Sequence, residues 1–146
     1  MSTTQVPTRV IPSAPTPAAE RQPVWKHGVA SALVASVATT VLAAIASAAG
    51  VSFADRTGAS IPIAGFAQLT LVFSLVGVGI AAVMARKARW PRATFVRTTV
   101  ALTAVSFVPD LTFGFDAASA ATLIPLHTVA AVIVVPTLAR RLARAR

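Results

Sequence analysis

Three strongly polar side chains interrupt the long apolar runs of this chain: Gln68, Asp110 and His127. Ionisable groups inside a bilayer are costly, and they mark ligand sites, ion paths and proton relays. Spacing relates two of them. Asp110 lies thirteen residues after Arg97, and His127 lies thirteen residues before Arg140. If both arginines mark one headgroup plane, helical rise puts Asp110 and His127 at the same depth, about 20 Å from it. A carboxylate and an imidazole side by side can hold a proton or a small polar or cationic ligand. Gln68, eighteen residues before Arg86, falls about 27 Å from the plane, nearer the outer mouth. A second bracket takes Arg92 as the marker. Asp110 then rises to the outer interface as a helix-end or loop residue above His127, and Pro109 predicts a helix break there. Taken alone, His127 can instead be an interhelical hydrogen-bond partner for a Ser, Thr or Gln.

The stretch 94–110, TFVRTTVALTAVSFVPD, carries the rest of the candidate site. Thr99, Thr103, Ser106 and Asp110 are spaced by four, three and four residues, so on a helix they share one face. Phe95, Val96, Val100, Leu102, Val105 and Phe107 cover most of the remaining surface. The hydroxyls can bond to a neighbouring helix or back to carbonyls of their own. Enzymatic chemistry ranks last. One histidine and one aspartate could act as base and orienter, but no nucleophile or metal-ligand cluster accompanies them. No metal or cofactor is expected. The absence of cysteine excludes thiol chemistry and disulfides.

These residues need elements to position them. The 146 residues are 55% hydrophobic and 12% charged, against about 25% charged in a soluble domain, and the mean hydropathy is +0.76. Four apolar runs, at about 28–50, 63–85, 94–109 and 117–138, alternate with clusters of charge. Several reach the roughly 20 residues that cross a bilayer. The expected fold is all-α, a four-helix transmembrane bundle occupying 24–142. A soluble bundle with an Ala-rich core is disfavoured, because the runs lack a regularly charged face. The net charge of +9 flanks the apolar runs, which points to the lipid bilayer as partner and not to nucleic acid.

In chain order, residues 1–23 form a Pro-rich tail too polar to fold, expected to be disordered in the cytoplasm. Trp25 and Lys26 are interface residues leading into the first run. That run holds two small-residue rows: Ala32, Ser36, Thr40, Ala44, Ala48, and Ala35, Thr39, Ala43, Ser47. Such rows let helices approach closely, either inside the monomer or in an oligomer. Ala46-Ser47-Ala48 resembles a signal-peptidase site, but the run is too long for a signal h-region and is expected to stay uncleaved. A polar loop at 54–60 follows, and Ser60 with Pro62 predicts a capped start for the second helix. Arg86, Lys87, Arg89, Trp90, Pro91 and Arg92 form a basic turn. Arg97 lies inside the third run, where its guanidinium can snorkel to the headgroups. Asp116 is the expected N-cap of the fourth run, which is followed by Arg140, Arg141 and a short basic tail, 143–146.

Charge bias orients the chain. Four spans with both termini in the cytoplasm leave only Arg56, of the thirteen Lys and Arg residues, on the outer side. The expected location is the cell membrane, as a multi-pass protein.

The stretches FVRTTVALTAVSFVPD, His127 onward as HTVAAVIVVPTLARRL, and IPIAGFAQLTLV at 61–72 resemble a domain-of-unknown-function family of small four-span bacterial integral membrane proteins. The resemblance covers about 24–142. It implies a four-helix membrane protein and supplies no activity or site residue. Two functions compete. One is a small polar-ligand binding or proton/solute transport module, built on an outward-facing site of Gln68, Thr99, Thr103, Ser106, Asp110 and His127. The other is a structural or regulatory partner, packing against itself or another membrane protein through its small-residue faces.

Overall fold

Each apolar run forms one helix. The computed structural model describes residues 24–144, arranged as α1 (Val24–Ala48), α2 (Ile63–Lys87), α3 (Pro91–Thr112) and α4 (Ala117–Arg144). The Pro-rich tail expected at 1–23, and residues 145–146 of the basic tail, lie outside the described residues.

The helices alternate in direction. Gly28 of α1 lies against Val78 of α2 and Leu138 of α4. Further along, the Ser36 hydroxyl donates to the Ala67 carbonyl at 2.8 Å, and the Thr39 and Thr70 hydroxyls are 3.0 Å apart. α1 packs on α2 and α4. α3 packs on α4 and less extensively on α2, and does not reach α1. This order gathers Lys26, the 86–92 turn, Arg97, Arg140 and Arg141 at one end, and the loops 49–62 and 113–116 at the other.

The core divides along the bundle axis. At the basic end Ala35, Val78, Ala81, Phe95, Val134, Leu138 and Leu142 pack together. At the loop end Ala43, Phe53, Phe66, Leu123 and Leu126 do so, with the Phe53 and Phe66 rings edge-on at 4.8 Å. α3 contributes Phe95 to the first cluster and nothing to the second. Its loop-end half is therefore held by something other than apolar packing.

The distribution of side chains is inverted relative to a water-soluble bundle. Ala32, Ala35, Ser36, Thr39 and Ala43 are buried, whereas Val37 is 64% exposed, Phe73 69% and Leu111 66%. So wide an apolar exterior is unstable in water and stable against acyl chains, where small residues let helices approach and polar groups bond between them. This is a membrane protein, and the soluble alternative fails on its surface. Helices α1, α2 and α4 are long and apolar enough to cross a bilayer. α3 is less apolar because Arg92, Arg97 and the hydroxyl stripe dilute it, yet Val100, Leu102, Val105, Val108 and Leu111 are exposed along it.

The first members of both small-residue rows, Ala32 and Ser36 in one and Ala35, Thr39 and Ala43 in the other, are buried inside the monomer, Thr40 is half-buried, and Ala44, Ser47 and Ala48 stay exposed. At Gly28 α1 packs closely on α2 and α4. A Cβ there would meet the Val78 Cγ2 at 2.6 Å, and a β-branched side chain has no rotamer in which to retreat cheaply.

Two local expectations are corrected. Ser60 does not cap α2. Pro62 occupies the cap position without a side-chain bond, and Ser60 instead pairs with Ala54 in an isolated antiparallel bridge. The bridge closes a tight loop, and Asp55 supplies its polar centre by accepting from the Thr57 amide, the Thr57 hydroxyl and the Ala59 amide. Nor does Pro109 break α3. The helix continues to Thr112, and the Phe113 amide donates to the Pro109 carbonyl at 2.9 Å. A proline removes one donor and crowds the preceding turn, and membrane helices tolerate this where neighbours support the chain.

Candidate functional site

Asp110 and His127 meet in the seam between α3 and α4. The His127 Nδ1 is 3.1 Å from the Asp110 Oδ2. The extended helix 91–112 makes this possible, since it carries Asp110 on its last full turn instead of in a loop. Asp110 is 6% exposed, and the His127 side chain is 40% exposed. The same Nδ1 is also 3.1 Å from the Leu123 carbonyl, one turn back on α4. The contact to Asp110 has ion-pair distance but not hydrogen-bond alignment, and the Oδ2 is buried with no donor aimed squarely at it. A proton on Nδ1 is aligned with the Leu123 carbonyl, and the Asp110 carboxylate lies beside it. Nε2 is left to accept from a ligand when the ring is neutral, or to donate when it is charged.

Phe107 closes one side of the ring, edge-on with centroids 6.3 Å apart. It lies three residues before Asp110, and the sequence offered no reason to separate it from the other apolar residues of α3. Below it the stripe runs down the helix as expected, but its hydroxyls turn inward on their own backbone. Thr99 donates to the Phe95 carbonyl, Thr103 to the Thr99 carbonyl and Ser106 to the Thr103 carbonyl. Thr99 is buried, and Thr103 and Ser106 are half-buried. Their oxygens still have lone pairs to offer, so the seam from Thr99 to Asp110 is lined with acceptors.

The structure does not bring Gln68 into this group. It is exposed on α2, beside Leu69, and makes no side-chain hydrogen bond among the described residues. Residue spacing fixes how far along its helix it sits but not which way it faces. Of the interface candidates, Trp25, Lys26, Arg86, Lys87, Arg89, Trp90, Arg92, Arg97 and Arg140 are exposed and Arg141 is half-buried. The Lys26 ammonium lies 5.9 Å from the Trp25 ring centre. His27, the other histidine, has a buried Nδ1 without a hydrogen bond, a feature with no sequence signal.

At the loop end a second polar cluster fastens α4. Asp116 caps the helix by accepting from the Ser119 amide at 2.7 Å. It also accepts from the Ser52 hydroxyl at 2.8 Å and the Ser119 hydroxyl at 3.2 Å. Ser119 in turn accepts from the Phe53 amide at 3.0 Å, and Phe53 is held at a positive φ of 52°. One carboxylate therefore ties the 49–62 loop to the start of α4. The Ser119 amide, followed by the Ser52 hydroxyl, holds the Asp116 carboxyl below the ordinary carboxylate range. A carboxyl depressed in the folded state contributes stability above its unfolded pKa, and that contribution is lost as pH falls through the folded value. Protection of the Phe53 and Ser119 amides from hydrogen exchange, measured relative to the intrinsic rate at each pH, is therefore expected to be high at neutral pH and to fall below about pH 4, before that of the helix centres. Protection that is flat with pH until the whole bundle unfolds would contradict this.

Among the described residues no cluster of three or more His, Cys, Asp or Glu stands ready for a metal. The profile of a family described as a family of unknown function, DUF6069, matches residues 19–144. No curated protein and no solved structure matches the chain.

Proposed function

The chain belongs to the DUF6069 family, whose function is unknown, and from its polar seam we propose a multi-pass protein of the cell membrane that binds a proton or a small cationic ligand from the outer side. The observation that carries this is the Asp110–His127 contact, one partner buried and the other 40% exposed. A buried carboxylate with no aligned donor favours whatever brings it a donor and a positive charge. Two prolines add acceptors nearby. Pro109 and Pro125 lie inside helices, so each frees the carbonyl four residues earlier, on Val105 and Ala121. Among the described residues His127 is the charged group that acts on Asp110; Arg56 packs on Gly114 at the loop end, and Arg97 lies thirteen residues down α3.

The four-span topology with both termini in the cytoplasm belongs to the same proposal. It is supported by the gathering of basic residues at one end of the bundle and by the apolar exterior of α3. The partner-protein alternative draws less support, since the first members of each small-residue row are buried within the monomer.

A cysteine replacing Ser106 tests the site in this cysteine-free chain. A membrane-impermeant cationic thiol reagent added to intact cells should label Ser106→Cys, because only a hydrated cysteine forms the thiolate. Methylammonium or guanidinium should slow the labelling. A folded variant that is labelled only from the cytoplasmic side, or not at all, would sink the outward-facing site. Labelling that neither cation slows would sink cation binding.

A further inference from the structure

The basic end of the bundle carries a concavity that the polar seam does not use. It has a volume of about 520 Å³ and is lined by Trp90, Pro91, Arg92, Ala93, Val96, Arg97, Leu142 and Ala143. It lies where the first turns of α3 meet the last turns of α4, far along both helices from Asp110 and His127. We propose that this concavity seats one anionic glycerophospholipid, its phosphate held by Arg92 and Arg97 and its glycerol and upper acyl carbons against Val96, Leu142 and Ala143.

The first support is charge. Arg92 and Arg97 are both exposed, and neither forms an ion pair among the described residues. The described acidic residues, Asp55, Asp110 and Asp116, all sit toward the loop end, so among the described residues no carboxylate at the basic end neutralises the two guanidiniums. Guanidinium is the side chain best matched to phosphate oxygens, which it can engage with two parallel hydrogen bonds.

The second support is depth. Five residues separate Arg92 from Arg97, about 7 Å along the helix. Arg92 stands at the mouth, while Arg97 starts deeper and reaches back along the seam by its aliphatic stem. That separation spans a phosphate and the glycerol ester region below it. A free inorganic anion would use only the upper part.

The third support is the wall. Leu142 is 1% exposed and Pro91 is buried, so the floor is fixed by packing and apolar. Trp90, 61% exposed, stands at the rim, the placement that indole rings favour at headgroup level. The start of α3 also lacks a side-chain cap. An apolar floor beneath two cations suits an amphiphile with a negative head and no soluble anion. It differs from the diffuse attraction of any basic turn for acidic membranes, because the site is concave and formed by two helices.

This inference is independent of the Asp110–His127 site. It is tested on the full chain purified in a neutral detergent, by thermal unfolding and native mass spectrometry with added lipid. Phosphatidylglycerol vesicles or micelles should raise the melting temperature saturably and leave a bound lipid. Phosphatidylcholine, inorganic phosphate and glycerol phosphate should not. The double variant R92Q/R97Q should weaken phosphatidylglycerol binding by about thirtyfold, as expected from removing two basic contacts. R86Q/K87Q, which removes the same charge from the end of α2, should bind as the parent does. Both pairs are exposed, so the variants should keep the parent's melting temperature without lipid, which separates lost binding from lost fold. Equal weakening by the two double variants would reduce the effect to general electrostatics and overturn the seat. Equal stabilisation by inorganic phosphate would overturn the lipid as occupant, and equal stabilisation by phosphatidylcholine would overturn the anionic requirement.

Discussion

His127→Ala is expected to destabilise the protein by about 3 kcal/mol, because it strands a buried carboxylate that has lost its partner. Asp110 is 6% exposed, and its Oδ2 has no hydrogen-bond donor, only the His127 ring at ion-pair distance. Asp110→Ala should cost less, about 1 kcal/mol. It leaves the half-exposed imidazole still bonded to the Leu123 carbonyl and able to turn its other nitrogen to water. The double variant should then resemble Asp110→Ala alone, since once the carboxylate is gone the imidazole has little left to compensate. Thermal or denaturant unfolding in detergent measures all three. Strong non-additivity with this asymmetry identifies a coupled pair. Additive losses would mean that the two groups do not act on each other despite their 3.1 Å separation. A gain in stability on removing either one would fit a site held under strain for binding.

Phe95→Ala should be the most damaging apolar truncation in the chain, at about 4 kcal/mol. The Phe95 ring is fully buried, and it is the one fully buried residue through which α3 joins the core at the basic end. α3 has no residue in the loop-end core, so the helix is fastened at one end by an aromatic ring and at the other by an ion pair. Removing the ring leaves a void among Val78, Val134 and Leu138 that rigid helices cannot close. Val100→Ala, on the same helix but 60% exposed, should change stability by no more than about 0.5 kcal/mol. The contrast is read from the same unfolding curves. Similar losses at both positions would mean that α3 is held by its exposed face, and the packing described here would be wrong.

These two fastenings were legible in the sequence to different degrees. The run 94–110 announced a helix with one polar face, and counting residues from Arg97 and Arg140 put Asp110 and His127 at one depth. The competing bracket, from Arg92 with a break at Pro109, was equally consistent with the spacing. What separates them is whether a helix survives its internal proline. That depends on whether a neighbour supports the turn, and here α4 does. Phe95 looked like any other apolar residue of its run, because periodicity does not say which apolar face meets protein and which meets lipid. Gln68 shows the same gap. Its polarity and depth suggested the site, yet its azimuth on α2 turns it outward.

The sequence by itself determined the number of helices, their order, the grouping of basic residues between them and the inverted composition that requires lipid. Each of these follows from local properties: run length, hydropathy and charge position. It also determined that Thr99, Thr103, Ser106 and Asp110 share a face, because helical geometry is fixed by the backbone. Only the tertiary structure decided that α3 leans on α4 and not on α1, that the stripe meets His127 and not Gln68, and that Arg92 and Arg97 border a concavity. Those outcomes depend on the rotation of each helix about its axis. In lipid that rotation is set by close packing of small residues and by paired polar groups, and no single helix encodes it.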